Sequence, residues 1–383
     1  RRKEMAFPPL SEVRNNLKPQ WYRSKMDPDK FRKFSKKSDF KGFIQAGGHL
    51  GLFCITGLSV YLSWLISNWI LFSVAIFMHG TVSSFFKGTA VHELGHGTVF
   101  ETKWLNKFFL YLFSLISWWN PFDYAASHTY HHRYTLHPEG DREVLLPIHP
   151  SVGGTFLLQM FTFNLITQPG RTFGKGGLLS AVWLTILAAV GKIGSCEIPA
   201  NEWLQAIHSD QPEQKSASVR WSQIQLSFHI FILVLAILSG LWVLPFIITI
   251  PSYTSNWLSY FLGLTQHCGL RQNTIDFRKN TRSIRLPKFL EYLYWHMNWH
   301  TEHHMYAGVP CYNLRHLAKE IEKDMPEPKS LFEAWKEMLY IWQIQKNNPE
   351  YAFDTPVPNN PRNSKDMPLG ASSIGDLAPK ALR

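Results

Sequence analysis

Apolar residues in this chain are gathered into long runs, while both ends are polar. The first run, Gly42–Trp64, is followed by a Ser-Asn break and a second, Trp69–Phe86. Each approaches the roughly 20 residues that a helix needs to cross a bilayer, so the pattern predicts two spans. Residues 221–262 form a further apolar block interrupted by Gly240, Pro245 and Pro251. It predicts a third span, Ile224–Leu241, and a fourth, Val243–Leu262. The connection within each pair carries no Lys or Arg, whereas Lys25, Lys30, Arg32, Lys33, Lys36, Lys37 and Lys41 crowd the approach to the first span. Basic flanks stay on the cytosolic side, which orients the bundle.

The remaining stretches fall around that bundle. Residues 1–41 read as a basic cytosolic arm with short amphipathic pieces, whose Trp21, Tyr22, Phe31, Phe34 and Phe40 are expected on the membrane surface. Residues 42–328 make the membrane and cap domain. Within it, 107–124 is apolar but short, ending in Trp118, Trp119 and Pro121, and is expected in the cap or at the interface. Residues 153–195, broken by Pro169, Gly170, Gly174, Gly176 and Gly177, are expected to form interfacial helices. Residues 329–353 contain an amphipathic helix, and 354–383, rich in Pro, Asn and Ser, are expected to be disordered.

Composition sharpens this picture in three ways. The 383 residues include 15 Trp and 27 Phe, which suits lipid-facing surfaces with aromatic anchors. The formal charge of +11 comes with no nucleic-acid-binding signature, so anionic headgroups are the expected partner and nucleic acid is not. The four cysteines, Cys54, Cys196, Cys268 and Cys311, are scattered without a CxxC, which argues against a disulfide framework and a thiolate metal site. No secretory signal is expected, because the amino-terminal sequence is polar and its first apolar run starts late.

Three histidine clusters carry the chemistry: His92-Glu-Leu-Gly-His96, His128-Thr-Tyr-His131-His132 and His300-Thr-Glu-His303-His304. Residues three or four apart share a helix face, and neutral imidazole is the commonest protein ligand for a transition metal. Eight imidazoles exceed what one ion can use, so the clusters predict two metals in an all-α, membrane-embedded protein. With four spans, every cluster lies on the cytosolic face. Imidazole suits Fe, Zn or Cu.

His92–His96 also satisfies HExxH, in which Glu93 would be the base of a zinc protease. The two HxxHH clusters beside it weigh against that. A membrane metal-binding or transport protein is a third possibility, but its polar residues belong inside the spans, and these clusters lie beyond them.

Taken together, the three clusters resemble the histidine boxes of the membrane fatty acid desaturase and hydroxylase superfamily, over about residues 42–316. The resemblance implies a four-helix transmembrane bundle with a cytosolic helical cap. It also implies two non-haem irons, bound by His92, His96, His128, His131, His132, His300, His303 and His304, with O2 as oxidant. His267, just after the fourth span, stands where the family often has a further ligand. In that reading Glu93 and Glu302 orient ligand imidazoles, and Asp141 and Glu139 accept from box histidines, with Arg133 and Arg142 as their ion-pair partners. His137 and His296 lie near the boxes without a ligand spacing of their own. His49, His79 and His229 lie within spans and are expected to be structural.

Desaturation of an acyl chain or related lipid is the first activity implied, and hydroxylation the alternative. No haem motif, iron–sulfur cysteine pattern or dinucleotide fingerprint is present, so the resemblance implies an external ferredoxin or small haem protein with its reductase. The expected setting is the endoplasmic reticulum of a eukaryote or the inner membrane of a bacterium. Trp118, Trp119, Tyr292, Tyr294, Trp295 and Trp299 crowd the boxes, either narrowing a substrate tunnel or packing the cap.

Overall fold

The computed structural model describes residues 7–166, 176–195 and 201–358. Three helices are long and apolar enough to cross a membrane: Asp39–Leu65, Trp69–Gly95 and Pro212–Ser239. The first two pair as a hairpin. Ser67 turns the chain at φ 52°, and the Asn68 side chain caps the second helix by accepting from the Leu71 N–H. Lys87 and Gly88 then leave helical geometry, Gly88 with φ 76°, and the chain re-enters a helix at Val91–Gly95. That kink redirects the first histidine box away from the axis of the span. The third helix stops at Gly240, which takes the left-handed conformation that glycine tolerates. Exposed Ile55, Leu58, Ile70, Val74, Ile230, Phe231 and Leu238 make the outer faces of these helices apolar, as lipid contact requires.

The expected fourth helix, 243–262, is broken. Short helical turns occupy Pro245–Thr249 and Pro251–Tyr253, and an α-helix resumes only at Trp257–Gly263. The cause is proline, which brings no N–H and clashes with the preceding turn. Pro251 leaves the Ile247 carbonyl without its helical donor, and His79 Nε2 donates to it instead at 2.9 Å. His229 Nε2 does the same for the Leu115 carbonyl at 3.0 Å, in the last turn of a helix that ends at Ile116, just before Trp118 turns at φ 58°. His49 Nε2 donates to the Val82 carbonyl at 2.9 Å. A bare carbonyl in a bilayer costs several kcal/mol, so His79 and His229 repair broken ladders, while His49 adds a second donor to a carbonyl that the Phe85 N–H also reaches at 3.4 Å.

The stretch expected in the cap or interface folds as two helices. Lys103–Ile116 buries Leu105, Phe109, Leu110 and Phe113 and exposes Trp104 and Phe108. Asn120 then caps Pro121–Tyr134, with proline at the first helical position. The described parts of 153–195 include the helices Gly154–Phe161 and Leu178–Ala189, the latter packed on the third long helix. Pro169, Gly170 and Gly174 lie outside the described residues.

The amino-terminal arm departs from expectation. Trp21, Tyr22, Phe31 and Phe34 pack against the main core of the cap, and Phe40 stays 75% exposed. Trp21 stacks on Phe277 with ring centroids 4.1 Å apart, and its indole N–H donates to the Arg133 carbonyl at 3.0 Å. Arg23 donates to the Met305 carbonyl at 2.7 Å. The arm therefore ties the ends of the second and third box helices together. Hydrophobic periodicity cannot separate a lipid surface from a protein core, and here the core takes those rings. Farther along, Leu331–Gln345 forms the amphipathic helix, with a Ser330–Glu333 capping box. Asp354 pairs with Lys279 and Arg271, and residues 359–383 of the expected disordered tail lie outside the described residues. A parallel pair of two-residue strands, Ile284–Arg285 with Lys329–Ser330, is a minor exception to an all-α architecture.

Candidate metal centre

Each histidine cluster is carried by a short helix whose start is set locally. The first follows the Lys87–Gly88 kink. The second occupies the last turns of Pro121–Tyr134, and the third is the helix His300–Met305. The helical repeat places the imidazoles of each cluster on one face, and tertiary packing turns those faces toward each other. His267 enters just beyond the short helix that follows Trp257–Gly263.

Two four-histidine groups result: His92, His96, His128 and His132, and His131, His267, His300 and His304. Within each, the ligand-capable atoms lie within 4.8 Å of one another and every residue is buried. His303 stands with His92 and Glu93 in a further group. The second box contributes to both sets. Its consecutive residues His131 and His132 face different groups, which one helix turn makes possible.

The nitrogen spacing is that of ligands around an ion. Nε2 of His92 and His96 are 3.4 Å apart, those of His267 and His300 2.9 Å, those of His300 and His304 3.1 Å, and those of His132 and His303 3.3 Å. With metal–nitrogen bonds of about 2.1 Å, neighbouring ligand atoms at right or tetrahedral angles fall about 3.0–3.4 Å apart.

Outer acceptors orient the rings. His92 Nδ1 donates to Glu93 Oε1 at 2.9 Å, His128 Nδ1 to Glu143 Oε1 at 2.7 Å, and His131 Nδ1 to Asp141 Oδ2 at 2.8 Å. His267 Nδ1 donates to the Asn280 carbonyl at 2.8 Å. Carboxylates and carbonyls only accept, so each of these rings carries its proton on Nδ1. Its Nε2 lone pair is left to face the cluster. His128 Nε2 is buried with no protein partner.

At His131 burial is outweighed by Asp141 and Glu143, which raise that ring above its ordinary value, while burial keeps the other rings neutral. It pulls His128, His132, His300, His303 and His304 well below the ordinary imidazole range, helped by neighbouring rings, and lowers His267 to about 3. Burial also disfavours charge on Asp141, but the His131 ring beside it wins and holds the carboxyl below its usual value. Buried, inward-facing imidazoles, three of them backed by carboxylates and one by a carbonyl, fit a pair of divalent cations.

Some sequence candidates stand elsewhere. Glu302 takes a hydrogen bond from Ser283 Oγ at 2.5 Å instead of backing an imidazole. Glu139 is exposed, and Arg142 pairs with Glu202 instead of Asp141. His137 turns to the carbonyls of Tyr134 and Thr135, and His296 to Glu291, so neither joins a histidine group. Glu143 was missed: it is 15 residues from the ring it orients, and no local spacing marks it. The HExxH carboxylate, Glu93, faces His92 Nδ1 and lies 3.5 Å from His303 Nδ1, so it backs imidazoles where a protease would keep a base facing water. Among the crowding aromatics, Tyr294 and Trp295 are fully buried in the cap, and Trp118 stacks on His229 at 3.9 Å.

The fatty acid desaturase family model matches residues 67–335, a stretch that contains all three boxes and His267. An acyl-CoA 5-desaturase of Anemone leveillei is 30% identical over 119 residues, covering 26% of this chain and 36% of the relative. The matched region thus spans about a third of that relative's length. The chain belongs to the fatty acid desaturase family.

Proposed function

We propose that this family member is an O2-dependent oxidoreductase that introduces a double bond into an acyl chain. His92, His96, His128 and His132 hold one iron, and His131, His267, His300 and His304 the other, with His303 beside the first. One observation carries the reading: two buried four-histidine groups assembled from the three boxes and His267, in which the outer nitrogens of His92, His128, His131 and His267 are tied back.

The bound iron pair supplies the power to oxidise an unactivated C–H bond with O2. In balance, a CH2–CH2 unit, O2, two electrons and two protons give CH=CH and two waters. The chain's own contribution is geometric. Asp141, Glu143, Glu93 and the Asn280 carbonyl fix the imidazole tautomers and orientations. Burial excludes bulk water from the centre, which protects a reactive oxidant from side reactions.

Three further parts complete the proposal. The broken segment 241–263 makes a fourth crossing, which returns the chain to the cytosolic side before His267. The two electrons come from a separate ferredoxin or small haem protein, steered by the basic cytosolic face. The substrate is a membrane-presented acyl chain, and an acyl thioester is the first to try because the relative is named as acting on acyl-CoA. The setting is the endoplasmic reticulum of a eukaryote or the inner membrane of a bacterium.

The test is expression with a competent reductase and donor, followed by mass spectrometry of the host's acyl lipids. A loss of about two daltons supports desaturation, and a gain of about sixteen reassigns the enzyme as a hydroxylase. Neither change, in protein carrying two irons per chain, refutes the proposal.

A further inference from the structure

The third box follows a turn that the backbone does not favour. Trp295 and His296 have φ of 53° and 58°, two consecutive residues with side chains in the left-handed region. Each such residue costs about 1 kcal/mol or more, so the surroundings must hold it.

Two sets of contacts do so. On one side, buried Glu291 accepts from His296 Nδ1 at 2.9 Å, Trp299 Nε1 at 3.0 Å and Arg315 Nε at 3.0 Å. On the other stands the cytosolic end of the first long helix, where Phe43–Gly47 widens into a π-turn. A π-turn changes which carbonyls the helix itself satisfies. Here Tyr292 Oη donates to the Ile44 carbonyl at 2.9 Å, and Gln45 Nε2 donates back to the Tyr292 carbonyl at 2.9 Å. Gly48 permits the approach, because a Cβ there would lie 2.3 Å from Tyr292 Oη.

His49, one residue on, completes the dock. Trp295 Nε1 donates to His49 Nδ1 at 2.9 Å. An indole N–H only donates, so Nδ1 is the acceptor and the ring proton sits on Nε2. Nε2 then donates to the Val82 carbonyl at 2.9 Å, near the end of the helix that leads into the first box. One buried imidazole is thus bonded both to the turn that precedes the third box and to the helix that precedes the first.

We propose that His49 is a positioning residue for the metal centre, setting the register between the first and third boxes. It touches neither metal nor substrate. That register matters because His303 of the third box must meet His92 and Glu93 of the first, and His300 and His304 serve the other group. The inference rests on the diiron reading above.

The test uses the full chain in detergent or nanodiscs, loaded anaerobically with ferrous iron as the probe. Iron per chain, iron affinity and the Mössbauer spectrum are read for wild type, His49→Phe, Trp295→Phe, the double variant and His49→Asn. His49→Phe and Trp295→Phe should each weaken iron binding about tenfold, as loss of a supporting partner does, and should alter the spectrum. The double variant should be no worse than the stronger single, because both remove one shared bond. His49→Asn, with Oδ1 near the place of Nδ1, should recover most of the affinity. If His49→Phe does not fold, Trp295→Phe and Gly48→Ala carry the same readout. Wild-type affinity and spectrum in these variants overturn the role of His49 alone. A wild-type chain that binds no iron overturns the diiron reading and this inference with it.

Discussion

The two metal positions should be separable by mutating their outer carboxylates. Asp141 is fully buried, accepts from His131 Nδ1 at 2.8 Å and also takes the Leu136 N–H at 2.8 Å. Glu143 accepts from His128 Nδ1 at 2.7 Å. His131 belongs to one four-histidine group and His128 to the other. In Asp141→Asn the side chain keeps its shape but loses the charge that holds the His131 proton on Nδ1. An outer partner of this kind is worth about 10–100-fold in metal affinity, or about 1.4–2.7 kcal/mol. Asp141→Asn should therefore weaken the His131 group by that factor and leave the His128 group near its original affinity. Glu143→Gln should do the reverse. Anaerobic titration with cobalt(II), followed in the visible bands, counts the two steps, and metal analysis after desalting counts the ions retained. Equal weakening of both steps by either variant, or of neither, refutes the assignment of one carboxylate to each position.

Other expectations follow from the same geometry. Gly80→Ala places a Cβ 2.1 Å from the Thr254 carbonyl oxygen, a backbone atom with little room to yield, so the variant should unfold several degrees lower by thermal melting in detergent. His79→Leu leaves the Ile247 carbonyl without its donor and should cost about 1–3 kcal/mol, measured by reversible unfolding in mixed micelles. Burial raises the Glu291 carboxyl, but donors from His296, Arg315 and Trp299 outweigh it and bring it down to about 2. A carboxyl lower in the folded than the unfolded state stabilises above the unfolded value of about 4.3, and that contribution fades as pH falls toward 2. Glu291→Gln should therefore be less stable than wild type at pH 7 by about 2–3 kcal/mol, with the gap narrowing at pH 3; an unchanged gap refutes the reasoning.

The helical boxes were legible because their chemistry is local. A separation of three or four positions puts imidazoles on one helix face whatever surrounds them. Long apolar runs were equally legible for three of the expected crossings, since a bilayer demands length and little else. The run 243–262 has the hydropathy of a span but is not one continuous helix, because Pro245 and Pro251 break it. The aromatic arm misled for a related reason: Trp21 and Phe31 are as suited to a core as to a lipid surface, and only the position of Phe277 and Tyr306 decides between them.

By itself, then, the order of residues determined long apolar helices and histidine-bearing helix faces able to hold metal, because periodicity, length and ligand spacing are short-range properties. It could not say that His131 and His132, adjacent in sequence, face different groups, that Glu143 rather than Glu302 backs an imidazole, or that His49 joins two boxes. Those are contacts between residues far apart in the chain, or between neighbours set about 100° apart around one helix. They exist only once packing has brought the elements together, which is why the tertiary structure alone decided them.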